Sequence, residues 1–294
     1  MSIALLSSNQ STPQRGSRVL LAILAVYLLG RIIEIVPFSK PSTPYVALEI
    51  LCAFAFALFH GARHYRVRGI LTFTAICLVV GNVIENIGVA TGFPYGHYVF
   101  LSLMGPKLLQ VPVLLGLAYI GMAYVSWTLA RLILRATSTT VSGGQLIAVP
   151  LLASLIMTAW DFAQDPVWST LLHAWRWHDG GIWFGVPLTN YAGWVLTVFL
   201  IYAAFALCMR HTAPIPAAAC PHWRSAVLFY VLCAIGNVLQ LFRSQPVDLI
   251  ADPSGTLWRT TGILRASALV SVFVMGSIAL AAWLRIPTAV DATD

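Results

Sequence analysis

The chain has 294 residues, of which 59% are hydrophobic and 9% charged, with a mean hydropathy of +0.82. A soluble globular domain carries about 25% charge, so this composition cannot coat a water-soluble body, and its apolar residues come in blocks long enough to meet lipid. The net charge of +7 does not indicate nucleic acid, because the arginines are scattered at segment ends and form no stripe.

The opening "MSIALLSSNQSTPQRGSR" has no basic stretch ahead of a sustained apolar run, so it does not read as a clean signal peptide. Residues 1–16 read as a flexible N-terminal tail, 17–285 as one integral membrane helical domain, and 286–294 as a C-terminal tail. A helix needs about 20 residues to cross the hydrocarbon. Eight segments qualify: 17–37, 44–62, 69–90, 106–134, 146–163, 188–209, 223–242 and 262–284. The expected fold class is all-α, a polytopic transmembrane helical bundle of about eight spans, with 97–105 as a loop or a re-entrant turn. Five cysteines (Cys52, Cys77, Cys208, Cys220, Cys233) show no CxxC spacing and read as small hydrophobes.

Eight spans put both termini on one side. Ten of the 17 basic residues fall there, which by the positive-inside rule favours termini in the cytoplasm. Of the ten acids only Asp291 and Asp294 share that side; Glu34, Glu49, Glu85, Asp161 and the rest gather toward the other, as a polar mouth.

Between the second and third spans, "HGARHYRVRG" carries His60 and His64 four apart, a spacing that can bind metal but here sits among arginines at a headgroup-like helix end. The third span runs into "NVIENIGVATGFPYGHYVF". Glu85 lies in its greasy part. An ionised carboxylate in hydrocarbon costs about 2.5 kcal/mol or more, so the neutral acid is favoured, as general acid catalysis requires. The alternative is an arginine-paired or backbone-capping carboxylate. Asn82, one turn earlier, is placed to orient it. After Thr91, Gly92 and Gly96 allow a turn and Pro94 stops the helix. Tyr95, His97, Tyr98 and Phe100 then either line a channel for a long unsaturated chain or anchor the interface.

Asp161 and Asp165 are four apart and share a helical face. Two close carboxyls suit acid and base work, since both do not ionise cheaply; a divalent ion is the weaker alternative. The next stretch, "DPVWSTLLHAWRWHDGGIWFGVP", holds four of the ten tryptophans, as an interfacial belt or the cap of an apolar cavity. In "GVPLTNYAGW", Asn190 enters the sixth span and needs hydrogen-bond partners there.

Four motifs in order, "ENIGVATGFPYGHYVF…MGP", "VP…GLAYIGMAYVSW", "DFAQDPV" and "GVPLTNYAGW", resemble the membrane carotenoid-biosynthesis proteins that include CruF-type carotenoid 1,2-hydratases and archaeal bisanhydrobacterioruberin hydratase. The resemblance covers roughly residues 30 to 284; where the family pattern has Pro-Phe-Gly, this chain reads Pro94-Tyr95-Gly96. It implies addition of water to the terminal 1,2 double bond of an acyclic carotenoid, with no cofactor and no metal. Glu85, Asp161 and Asp165 would divide the roles of acid, counter-charge and water-orienting base. Asn82, Thr91, Tyr95, His97, Tyr98, Trp183, Asn190 and Tyr191 would meet substrate, with Trp160 a weaker candidate because it points elsewhere on its helix. The partners implied are a polyene entering from the bilayer, water and membrane lipid, with homo-oligomers or assemblies with other carotenoid enzymes compatible. The rivals are a carotenoid or isoprenoid cyclase or isomerase, a non-catalytic transporter or scaffold, and a haem or metal oxidoreductase.

Overall fold

A computed structural model describes residues 11–35, 42–210, 212, 220–243, 245 and 247–287. Lys40, Asp291, Asp294 and most of the two expected tails lie outside the described residues. The helices are α1 (Ser11–Ile33), α2 (Thr43–Thr91), α3 (Val113–Ile133), α4 (Gln145–Pro166), α5 (Leu188–Met209), α6 (Cys220–Leu239), α7 (Thr260–Val270) and α8 (Gly276–Trp283). The first begins inside the segment expected as tail. A π-helical turn over Ser271–Met275 joins α7 to α8 in a single span. Seven of these helical stretches are long and apolar enough to cross a membrane.

One of the seven counts twice. Straight, the 49 residues of α2 would run about 74 Å, more than twice the hydrocarbon thickness of about 30 Å. Arg66 breaks the helix with φ 58° and ψ 174°. The chain folds back there: a Cβ on Gly69 would stand 2.7 Å from Tyr65, and both Phe73 and His60 reach Tyr124 of α3. α2 is therefore a helical hairpin, and the described residues form a polytopic all-α bundle of about eight spans.

The ends of the spans follow from local chemistry. Gly92, at φ 81°, closes α2 with its N–H on the Gly88 carbonyl. Pro112 and Pro187 sit extended just ahead of α3 and α5, where a missing N–H costs nothing. Pro166 does not stop α4 as its sequence position suggests. It cannot donate to the preceding turn, and the helix widens into a π turn over Val167–Leu171.

α3 is the central post. Every residue from Ala118 to Leu132 is buried, the mark of a helix surrounded on all faces. Gly121 lets α2 approach it: a Cβ there would meet the Ala53 methyl at 2.6 Å.

Among the described residues, three small antiparallel ladders close the face opposite the start of α1 and the end of α8: β1 (Tyr98–Phe100) with β4 (Trp175–Trp177), β2 (Lys107–Leu108) with β3 (Val111–Pro112), and β5 (Leu249–Ala251) with β6 (Leu257–Arg259). The first spans two loops. Its register pairs Tyr98 with Trp177 and Phe100 with Trp175. Alternation along a strand turns these four rings to one side and leaves Arg176 exposed. The Trp-rich stretch is thus the inward cap of a cavity rather than only a headgroup belt, and 97–105 is a strand followed by a 3₁₀ turn.

At the break in α2, His60 and His64 are buried among protein side chains. His60 reaches the Tyr124 hydroxyl at 2.6 Å and the His222 carbonyl at 2.8 Å, and His64 Nε2 lies 2.9 Å from Arg131. Among the described residues no three His, Cys, Asp or Glu side chains converge as metal ligands.

Candidate functional site

Glu85, Asp161 and Asp165 converge beneath the β1–β4 ladder, at 4%, 4% and 1% exposure. α2 brings the first and one face of α4 the other two. Their hydrogen bonds differ.

Glu85 is saturated. The Tyr119 hydroxyl donates to Oε1 at 2.6 Å and the Tyr98 hydroxyl donates to Oε2. Behind Tyr119 stands Tyr95, 3.2 Å away oxygen to oxygen, with the Thr197 hydroxyl at 2.7 Å. The Tyr95 hydroxyl, extra relative to the Phe of the family pattern, is therefore satisfied. Gly88 and Gly193 make room for its ring, since a Cβ on either would come within 2.7 or 2.6 Å. Burial, and then the charge of Glu85, push the Tyr95 and Tyr98 phenols far above their ordinary range, so both remain O–H donors at physiological pH.

Asp165 likewise accepts one hydrogen bond on each side-chain oxygen. Trp175 Nε1 donates to Oδ1 at 2.9 Å, and Asn190 Nδ2 donates to Oδ2 at 2.6 Å. The same amide donates to Asp161 Oδ2 at 3.1 Å. One NH₂ group, with two protons, thus bridges both carboxyls of the i,i+4 pair and ties α5 to α4. Asp161 Oδ1 accepts no hydrogen bond from the described residues.

Two adjoining cavities share Leu115, Asp165, Trp175 and Trp194. The larger, about 70 Å³, is bounded by Tyr119, Trp160, Asp161, Trp194 and, at its far end, Glu49. Trp194 lies flat on Tyr119 with centroids 4.8 Å apart and meets Trp160 edge-on at 6.5 Å, so the wall is built of aromatic faces. Glu49 is held by Arg31 at 2.7 Å. The smaller cavity, about 30 Å³, lies between Glu85, Asp165, Asn190, Tyr98 and Trp177.

The other sequence candidates fall differently. Asn82 does not orient Glu85; its carbonyl and side-chain oxygen both accept from Asn86, one turn on. Thr91 is exposed and caps its own helix, bonding Ile87 O and Phe93 N. His97 is exposed, and its backbone pairs with His178. Trp183 stacks on Phe162 at 4.5 Å, and Phe162 meets the Tyr191 ring edge-on, so Trp183 and Tyr191 brace α4 against α5. Trp160, by contrast, does face the cavity. Four further residues line the site beyond the sequence candidates: Tyr119 and Trp194 lie in the quoted motifs, and Trp175 and Trp177 in the Trp-rich stretch between them. The W-x-W spacing of Trp175 and Trp177 is the strand signal that placed both indoles inward.

A profile for carotenoid biosynthesis proteins matches residues 45–251, a stretch holding all three carboxyls and Asn190. The chain belongs to that family. It is an integral membrane protein of carotenoid biosynthesis. It is 34% identical over 117 residues to the bisanhydrobacterioruberin hydratase of Haloarcula japonica. That alignment takes in 39% of this chain and spans 37% of the relative's length. No solved structure gives a significant match.

Proposed function

We propose that this carotenoid biosynthesis protein is a hydratase that adds water across the terminal 1,2 double bond of an acyclic carotenoid end group, giving a tertiary alcohol. The observation that carries the reading is the unequal bonding of the three buried carboxyls around one aromatic-walled cavity. Of these three, only Asp161 keeps an oxygen without a hydrogen bond from the described residues, at the apolar cavity; Glu49 Oε1, on the same cavity wall, also has none, but that carboxylate is ion-paired to Arg31. Asp161 is the acid. Its proton goes to C2 of the alkene, the π electrons form the new C–H bond, and positive charge develops at the more substituted C1. Trp160, Trp194 and Tyr119 offer π faces to that cation, and Glu85, fixed by two phenols, supplies a negative counter-charge without reorganising. Water adds through oxygen to C1 and passes a proton to Asp165. Proton exchange between Asp165 and Asp161 restores the start, so one alkene and one water give one alcohol.

The polyene enters from the bilayer, where its length of about 30 Å matches the hydrocarbon. The acids lie toward one end of the bundle, suiting an end group held near one interface, and the termini face the cytoplasm. A cyclase or isomerase shares the protonation step; the polar pocket beside Asp165 favours capture of the cation by water. Expression in cells that accumulate lycopene or a longer acyclic carotenoid, followed by pigment mass spectrometry, tests the reading. The expected product is heavier than its precursor by one water and disappears with Asp161→Asn. A product of unchanged mass means cyclisation or isomerisation, and no new pigment from a range of acyclic carotenoids refutes the activity.

A further inference from the structure

The hydration reading leaves open where the water waits and how it arrives. We propose that the small pocket between Glu85, Asp165 and Asn190 is the binding site of the reacting water, and that it fills from the aqueous face past the indole of Trp177. The proposal rests on the hydratase reading for the water's fate, but not for its route.

Size and chemistry separate the two inner cavities. The pocket of about 30 Å³ has room for about one or two waters, and a stable buried water needs two to four polar partners. Two carboxyls and an amide line it. The larger cavity is walled by apolar and aromatic groups along most of its length and suits the hydrocarbon end group. Asp165 belongs to both walls, so a water at the first stands next to an alkene in the second.

A third cavity, about 460 Å³, opens on the mouth face. Ser169, Thr170, His173, Arg176 and Asp252 line it, a largely hydrophilic set. Trp177 lines both this cavity and the small inner pocket. Its indole is the shared wall.

The wall is built to close without being locked. The backbone of Trp177 is fixed by its pairing with Tyr98, and its ring rests on the Tyr98 ring with centroids 4.9 Å apart. Yet its Nε1, buried near the Asp165 carboxyl, makes no hydrogen bond of good geometry there. A buried donor without a well-formed bond is costly, so the closed position is less favourable than its packing alone implies, and a side-chain swing toward the outer cavity relieves that cost. Trp175, two residues earlier, is the opposite case: its N–H is held on Asp165. The two indoles divide the work, one fixing a carboxyl and one admitting water. The arrangement also keeps bulk solvent from the cation between turnovers.

Cysteine accessibility in the full-length protein, reconstituted in lipid vesicles, tests the route without depending on turnover. In a background with Cys52, Cys77, Cys208, Cys220 and Cys233 replaced, Thr170→Cys reports the outer cavity and Leu115→Cys the inner pocket. A charged, membrane-impermeant thiosulfonate should label Thr170→Cys readily whether or not Trp177 is present. It should label Leu115→Cys slowly beside Trp177 and at least about tenfold faster with Trp177→Ala, because thiol reactivity follows access. Trp177→Leu, a milder change, should give an intermediate rate and serves if the alanine variant does not fold. Equal labelling of Leu115→Cys with and without the indole, while Thr170→Cys still reacts, overturns the route. If the labelling result holds and no hydrated pigment forms, the hydratase reading fails and the aqueous route stands.

Discussion

Asn190 offers the sharpest separation of fold from chemistry. Asn190→Leu keeps the size of the side chain and removes both donors, at 3.1 Å to Asp161 and 2.6 Å to Asp165. Interhelical hydrogen bonds in membranes average about 0.6 kcal/mol, so the cost to the bundle should be about 1 kcal/mol. The cost to catalysis should be larger. In the proposed mechanism the amide holds acid and base in one geometry, and loss of a single preorganised donor typically lowers turnover about 10²–10³-fold. The assay is the initial rate of hydrate formation in membranes, normalised to folded protein measured by size exclusion, with the thermal midpoint recorded in parallel. The expected result is a small fall in midpoint with a rate loss of about a hundredfold or more. A normalised rate within about fivefold of the parent, the effect of roughly 1 kcal/mol, would refute the assignment of the amide to the reaction.

Other outcomes follow from the same contacts. Tyr119→Phe and Tyr98→Phe each remove one donor from Glu85; at about 1.5–3 kcal/mol per charge-assisted hydrogen bond, each should lower turnover roughly 10- to 100-fold, and Tyr95→Phe, one bond removed from the carboxyl, should matter less. Gly121→Leu forces a side chain into the Ala53 backbone and should destabilise the bundle by about 1–3 kcal/mol, seen as a lower thermal midpoint in detergent. Asp252 gives the pH test. Burial pushes its carboxyl up, but donors from Ser254, Trp258 and Thr256 outweigh that and hold it below the ordinary carboxylate value. Its contribution to the β5–β6 ladder is then present above an unfolded value of about 3.9 and lost as the pH falls through the lower folded one. Trp258 fluorescence should change over that acid range in the parent and not in Asp252→Asn.

The spans were readable because lipid imposes a length and an apolar composition that hydropathy reports directly. Even the division of α2 showed, as the charged "HGARHYRVRG" between two greasy runs. The carboxyls were readable for the inverse reason: an acid in such a run is costly and therefore conspicuous. The partners of those acids were not. Tyr119 sits in "GLAYIGMAYVSW", where tyrosine reads as one more span residue, and only the rotation of α3 against α2 turns its hydroxyl onto Glu85. Asn82 looked like the local partner by helical spacing, but Asn86 captures it. Side-chain competition within one turn is invisible to a periodicity argument. The inward turn of Trp175 and Trp177 needed a strand pairing across two distant loops, information that no local window carries.

The reversal at Arg66 bears on how the chain enters the membrane. With one non-helical residue between two spans, no loop exists to be held on one side while the second span is tested for insertion. The pair must partition as a single unit, and a tag, protease site or glycan acceptor placed between them would have no exposed strand of chain to occupy. Topology mapping by reporter insertion should therefore find the pair silent, and a shift of the break by a few residues would move Glu85 along the bilayer normal, away from the phenols that hold it.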